Sequence, residues 1–130
     1  MAEFVGNVIQ HHREDVVFRD SPQRHVLFLY SGVVSFNFGG GDSNIRTEQL
    51  QFDVPDSALT PEQIQAPNGI AVILAPTNFN SNGNAFVLAV SNAVVRIPTQ
   101  GAGLKVFADV SAANATLFEV AYSFAVNTVL

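Results

Sequence analysis

The stretch ATLFEVAYSFAVNTV, Ala115 to Val129, alternates apolar and polar or small residues along its whole length. Phe118, Val120, Tyr122, Phe124 and Val126 fall on one side, and Glu119, Ala121, Ser123, Ala125 and Asn127 on the other. Side chains of a strand point alternately to its two faces, so this period predicts a long strand with one buried face. Ala85 to Ile97 divides the same way: Phe86, Leu88, Val90 and Val94 oppose Ala85, Ala89, Ser91 and Ala93.

Working outward, the same period predicts strands near Phe4–Ile9, Val16–Arg19, His25–Tyr30, Val33–Phe38, Arg46–Val54, Ile70–Ala75 and Leu104–Val110. Gly32 reads as a bulge in one strand or as a hairpin tip. Turn residues separate these runs: Gly39-Gly40-Gly41-Asp42, Asn82-Gly83 as a type I′ hairpin, and Thr99 to Gly103 after Pro98. Thr60-Pro61-Glu62-Gln63 predicts one short helical insert near residues 57–65, with Pro67 ending it. The expected fold is all-β: one domain over residues 1–130, an antiparallel β-sandwich of about eight strands and jelly-roll type. An immunoglobulin-like sandwich is the alternative, weakened by the absence of Cys and Trp.

Charge is packed into the first half. Residues 1–62 hold 13 charged side chains and residues 63–130 only four, Arg96, Lys105, Asp109 and Glu119, so the net charge of −5 arises entirely in the first half. Soluble domains normally cover exposed faces with charge. A nearly chargeless half is therefore expected to turn inward or to pack against a neighbour. The acidic balance, with Arg13, Arg19, Arg24 and Arg46 interleaved among acids, argues against nucleic acid. No basic-then-apolar leader and no apolar run of membrane-spanning length are present, so a soluble chain is expected. Without cysteine there is neither a disulfide scaffold nor a thiol nucleophile.

Catalytic equipment is sparse. Ser21 and Ser35 lack a nucleophile elbow, and Gly39-Gly40-Gly41-Asp42 lacks the Lys-Ser/Thr of a phosphate loop. His11-His12 with Glu14 and Asp15 is the most ligand-rich spot, yet adjacent strand residues face opposite ways, so a polar turn is the expected reading. Asn78 to Asn84 spaces its amides like a calcium loop but contains no carboxylate. No catalytic residue, metal or cofactor is expected. Asn114-Ala115-Thr116 matches a glycosylation acceptor that nothing else calls into use. Arg96, the one charge between Pro67 and Leu104, reads as a strand end reaching water or a paired interface arginine.

These readings point to a non-enzymatic structural protein. The expectation is a virion-type capsid decoration or cement component, a homo-oligomer and most readily a trimer, with Ala89, Ser91, Ala93, Ala121, Ser123 and Ala125 as subunit-interface candidates. The alternative is a lectin-like module binding glycan through Asn78, Phe79, Asn80, Asn82 and Asn84.

Overall fold

The computed structural model describes residues 2–18, 25–40, 42–66, 69–97 and 99–129. Outside these lie Arg19, the polar run from Asp20 to Arg24 with Ser21, Gly41 of the glycine turn, Pro67, and Pro98. The described residues form eight strands: β1 (Glu3–Val5), β2 (Asn7–Phe18), β3 (His25–Gly40), β4 (Arg46–Asp53), β5 (Val72–Ser81), β6 (Val87–Arg96), β7 (Lys105–Ala113) and β8 (Ala115–Val129). They form two four-stranded sheets, β1-β4-β7-β6 and β2-β3-β8-β5. The inner faces meet in one core that joins Val26, Phe28, Tyr30, Tyr122 and Phe124 to Leu50, Phe52, Val106 and Val110. The chain is thus a β-sandwich. All pairings are antiparallel except β1 with β4, which run parallel.

Aromatic rings pack within and across the layers. Tyr30 stacks on Phe124 of the neighbouring strand with centroids 5.0 Å apart, and Phe52 reaches Tyr122 of the opposite sheet across the core at 5.2 Å. Such pairs add about 0.5–1.5 kcal/mol each beyond the area they bury. Ser57 and Thr128, both buried, are matched. The hydroxyl of Ser57 donates to the Val54 carbonyl at 2.6 Å and accepts the Leu104 N–H at 2.9 Å. Thr128, fully buried, donates to the Val26 carbonyl at 2.8 Å.

The strand bounds differ from the sequence reading at several points. Phe4–Ile9 divides at Gly6, whose N–H still bonds Gln51 of β4 while Asn7 already pairs with β3. A Cβ at Gly6 would run into Val34 and Leu50, one from each sheet, so only glycine lets the chain cross there. His11 and His12 sit in the middle of β2, not in a turn, because residues 7–18 form one continuous strand. Gly32 is neither a bulge nor a hairpin tip. β3 runs through it unbroken, in register with His11 of β2 and Tyr122 of β8.

Bulges change the facing of several long strands, β6 and β8 among them. Between Leu117 and Glu119 of β8 the register with β3 and β5 slips, so Leu117 is buried and Phe118 is only half-buried. Asn92 in β6, with φ +52°, marks a second slip that turns Val94 outward (48 % exposed) and Val95 inward. A bulge opposes two residues to one, which shifts the inward parity beyond it. Asn82-Gly83 is not a type I′ hairpin. Gly83 has φ +90° but Asn82 does not share the positive φ, and β5 and β6 pair with β8 and β7 in different sheets. The helical insert is a single 3-10 turn, Pro61–Gln63, where Gln63 Oε1 accepts the Thr60 N–H at 3.0 Å. Ile64 then bridges to Thr128, which returns the chain to the sheet.

Candidate functional site

The outer face of the β2-β3-β8-β5 sheet is built from rows fixed by register. His12, Ser31, Ser123 and Ile73 form one row, and Gln10, Val33, Ala121 and Ala75 another. Leu29 lies opposite Ala125, and Leu27 opposite Asn127. The centre is therefore low, made of Ser31, Ala121, Ser123 and Ala125, with Leu27, Leu29 and Val33 beside it. Ile73 stands at one edge, 72 % exposed, and Val16 and Phe18 at the other, 41 % and 48 % exposed. Two shallow hollows of about 400 and 410 Å³ adjoin at Ala71 and Ala125. β3 carries no charge from Val26 to Gly40, β5 none, and β8 none from Val120 to Val129.

The six small residues singled out in the sequence do not share one surface. Ala121, Ser123 and Ala125 lie on this outer face. Ala89 and Ser91 are exposed on the outer face of the opposite sheet, and Ala93 falls in the β6 bulge, half-buried. The alternation of β8 and β6 could reveal which residues turn outward, but not that the two strands belong to different sheets.

The Asn-rich segment is divided by structure. Asn78, Phe79 and Asn80 belong to β5, while Asn82 and Asn84 lie in the turn that follows. Phe79 packs on Phe86 at 5.6 Å, and both rings stay almost half exposed. Asn82 donates its amide to Asn114 Oδ1 at 3.1 Å, and Asn114 donates in turn to the Ala85 carbonyl at 2.9 Å. Asn114, with φ +54°, is the single residue between β7 and β8, where the chain changes sheets. Its amide holds a crossing point, a role that the glycosylation pattern gave no hint of. Gly40, Asn80, Ser81, Asn82, Asn114 and Thr116 line a hollow of about 200 Å³ beside it.

The histidines separate as strand geometry requires. His12 faces outward with its Nε2 3.5 Å from Glu14, and His11 faces the interior. His11 Nδ1 lies 2.9 Å from the Tyr122 hydroxyl, while its buried Nε2 has no hydrogen-bond partner and stands 3.6 Å from Asp56 Oδ2. The Asp56 backbone, at φ +55°, is held from the same side: Tyr30 and Arg13 both donate to its carbonyl at 3.0 Å. Burial pushes the Tyr122 phenol up to about 12. Burial also raises Tyr30, against the opposing hydrogen bond from Arg13. Both phenols therefore stay neutral and serve as hydrogen-bonding groups, not nucleophiles. Sequence reading missed this cluster, because His11, Asp56 and Tyr122 meet only through sheet register. Among the described residues no three His, Cys, Asp or Glu side chains converge on one point. No helix among them is long and apolar enough to cross a membrane.

Arg96 ends β6 in solvent, with its guanidinium carbon 4.1 Å from the centroid of the Phe107 ring. It is a strand-end arginine stacked on an aromatic ring. Comparison with family models, curated proteins and solved structures finds no match to this chain.

Proposed function

We propose that this chain is a non-enzymatic assembly protein that packs against copies of itself through the outer face of the β2-β3-β8-β5 sheet. The reading extends to a small virion-type coat component, a decoration or cement protein seated as a trimer on a capsid lattice. The observation that carries it is the chemistry of that face: small in the centre, apolar around it, and uncharged over Val26–Gly40 of β3, all of β5 and Val120–Val129 of β8. Large exposed apolar patches mark interaction surfaces, because a monomer in water gains nothing from keeping them. The topology supports a jelly-roll type over an immunoglobulin-like one. β3 pairs with β8 in one sheet and β4 with β7 in the other, as in a long hairpin rolled over on itself. No nucleic acid, membrane or cofactor enters this reading.

Replacing Ala125 by Arg tests it. Ala125 is exposed in the single chain, so Ala125→Arg leaves the isolated fold intact and opposes packing of a second copy. Sedimentation is expected to show a smaller species for the variant than for the unmodified chain; equal sedimentation contradicts the assignment of this face.

A lectin-like reading draws support from the 200 Å³ hollow, where Asn80, Ser81 and Thr116 offer amide and hydroxyl groups to a sugar. A glycan hit on the intact protein that is lost in an Asn80→Ala/Asn82→Ala variant would favour it.

A further inference from the structure

We propose that the hollow at the Arg96 end of β6 binds a small sugar acid, with Arg96 holding its carboxylate. This site lies at the other end of β6 from the Asn-rich turn and rests on neither reading given above. Two of the four charges in residues 63–130 are cations, Arg96 and Lys105, and register places them directly opposite one another on β6 and β7. Like charges so placed repel, and nothing in the packing of two strand ends requires them. Asp53, opposite Lys105 on the far side, lies 3.6 Å from its ammonium group. The row Asp53, Lys105, Arg96 thus keeps one positive charge in excess, and it belongs to Arg96.

The Arg96 side chain is oriented by its stacking and open to a ligand. The Phe107 ring beneath it stacks on the flat of the guanidinium, which leaves the N–H fork along the edge free to bond. Among the described residues no acceptor takes any of its N–H donors. A fork with five donors in fixed geometry takes a carboxylate through two parallel N–H···O bonds.

The row borders a hollow of about 610 Å³, within the usual size of small-ligand sites. Its other wall is Ile97 with residues 99–104, which brings Thr99 and Gln100 to the rim. Gly101 and Gly103 have φ of +77° and +110°, and no heavy atom lies within 4 Å of where a Cβ would stand at either. That wall is held open by backbone that other residues rarely adopt. Val54 and Leu104, both buried, give an apolar base. The ensemble offers one carboxylate acceptor site, hydroxyl partners in Asp53, Thr99 and Gln100, and an apolar surface for a ring. A uronic acid satisfies all three. A bare anion uses only the first, and a neutral sugar leaves Arg96 unpaired.

The test is an amide-shift titration of the full chain by nuclear magnetic resonance with glucuronate, glucose and sulfate in turn. Glucuronate is expected to shift the amides of Ile97, Thr99 to Lys105 and Arg96, saturably. Glucose and sulfate should each bind at least about tenfold more weakly, the loss expected when one charge-assisted hydrogen-bonding group goes unmatched. Arg96→Gln should weaken glucuronate binding by a similar factor while leaving amide shifts outside the hollow in place. Arg96→Lys, which keeps the charge but not the fork, should recover only part of it. Absence of shifts with glucuronate, equal binding of glucose or of sulfate, or undiminished binding to both variants would overturn the proposal.

Discussion

His11 and Tyr122 meet over a residue that has no side chain. The three positions His11, Gly32 and Tyr122 stand in one register row across β2, β3 and β8, and the Tyr122 hydroxyl reaches His11 Nδ1 at 2.9 Å across Gly32. A Cβ at Gly32 would lie 2.6 Å from that hydroxyl and would collide with the Gln10 carbonyl. The glycine is thus the gap through which the two side chains join.

Gly32→Ala is therefore expected to destabilise the fold by more than Tyr122→Phe. The alanine forces a backbone carbonyl and a buried ring to move, an overpacking cost of about 1–3 kcal/mol or more. Removing the hydroxyl alone costs about 1–2 kcal/mol, since His11 loses its one partner. Denaturant midpoints of the two variants order these effects.

Alkaline pH should weaken the native state through the same tyrosine. The Tyr122 phenol is raised to about 12 in the fold by burial and lies near 10 when unfolded. A raised pKa means that the folded chain holds the proton more tightly, so this stability is complete below pH 10 and is lost as pH rises toward 12. The chain has two tyrosines, both raised, so native protein at pH 10 should show little phenolate absorbance. Denatured protein at the same pH should show about half of the full signal.

Asn114 separates a backbone effect from a side-chain effect. Asn114→Gly keeps the left-handed conformation but loses the bonds to Ala85 and Asn82; Asn114→Ala loses both. Alanine is expected to be the more destabilising by about 1 kcal/mol, the usual penalty for that backbone region. Thermal melts of the pair read the difference.

These three sites mark how far the sequence could be read. Alternation in Ala115–Val129 identified the buried residues Val120, Tyr122, Phe124 and Val126, since a half-buried strand has no other way to satisfy both water and core. It failed at Phe118 and Val94, because a bulge reverses facing without a compositional trace. Asn82-Gly83 looked like a hairpin turn, since local chemistry suits it, but the strands on either side found partners elsewhere. The small-residue face of β8 from Ala121 to Ala125 was visible from its own residues. The neighbours that complete it, Leu29, Val33 and Ile73, required the register. The like-charged pair Arg96 and Lys105 was hidden for the same reason.

Exposed Ile73 offers a gentler probe of that face than an introduced charge. In a monomer, Ile73→Ser changes stability by no more than about 0.5 kcal/mol, as for other exposed positions. In an assembly the melting temperature of the unmodified chain rises with protein concentration, because association favours the folded state. Ile73→Ser should flatten that rise, whereas Gln49→Arg, on the outer face of the opposite sheet, should leave it unchanged.

The mass of the unmodified protein in solution tests the assembly reading most directly. Light scattering after size exclusion, over a dilution series, is expected to give a multiple of 13.9 kDa, with three copies as the proposed state. A mass of 13.9 kDa throughout the series would contradict the claim that this chain covers the small, apolar outer face of its β2-β3-β8-β5 sheet with copies of itself.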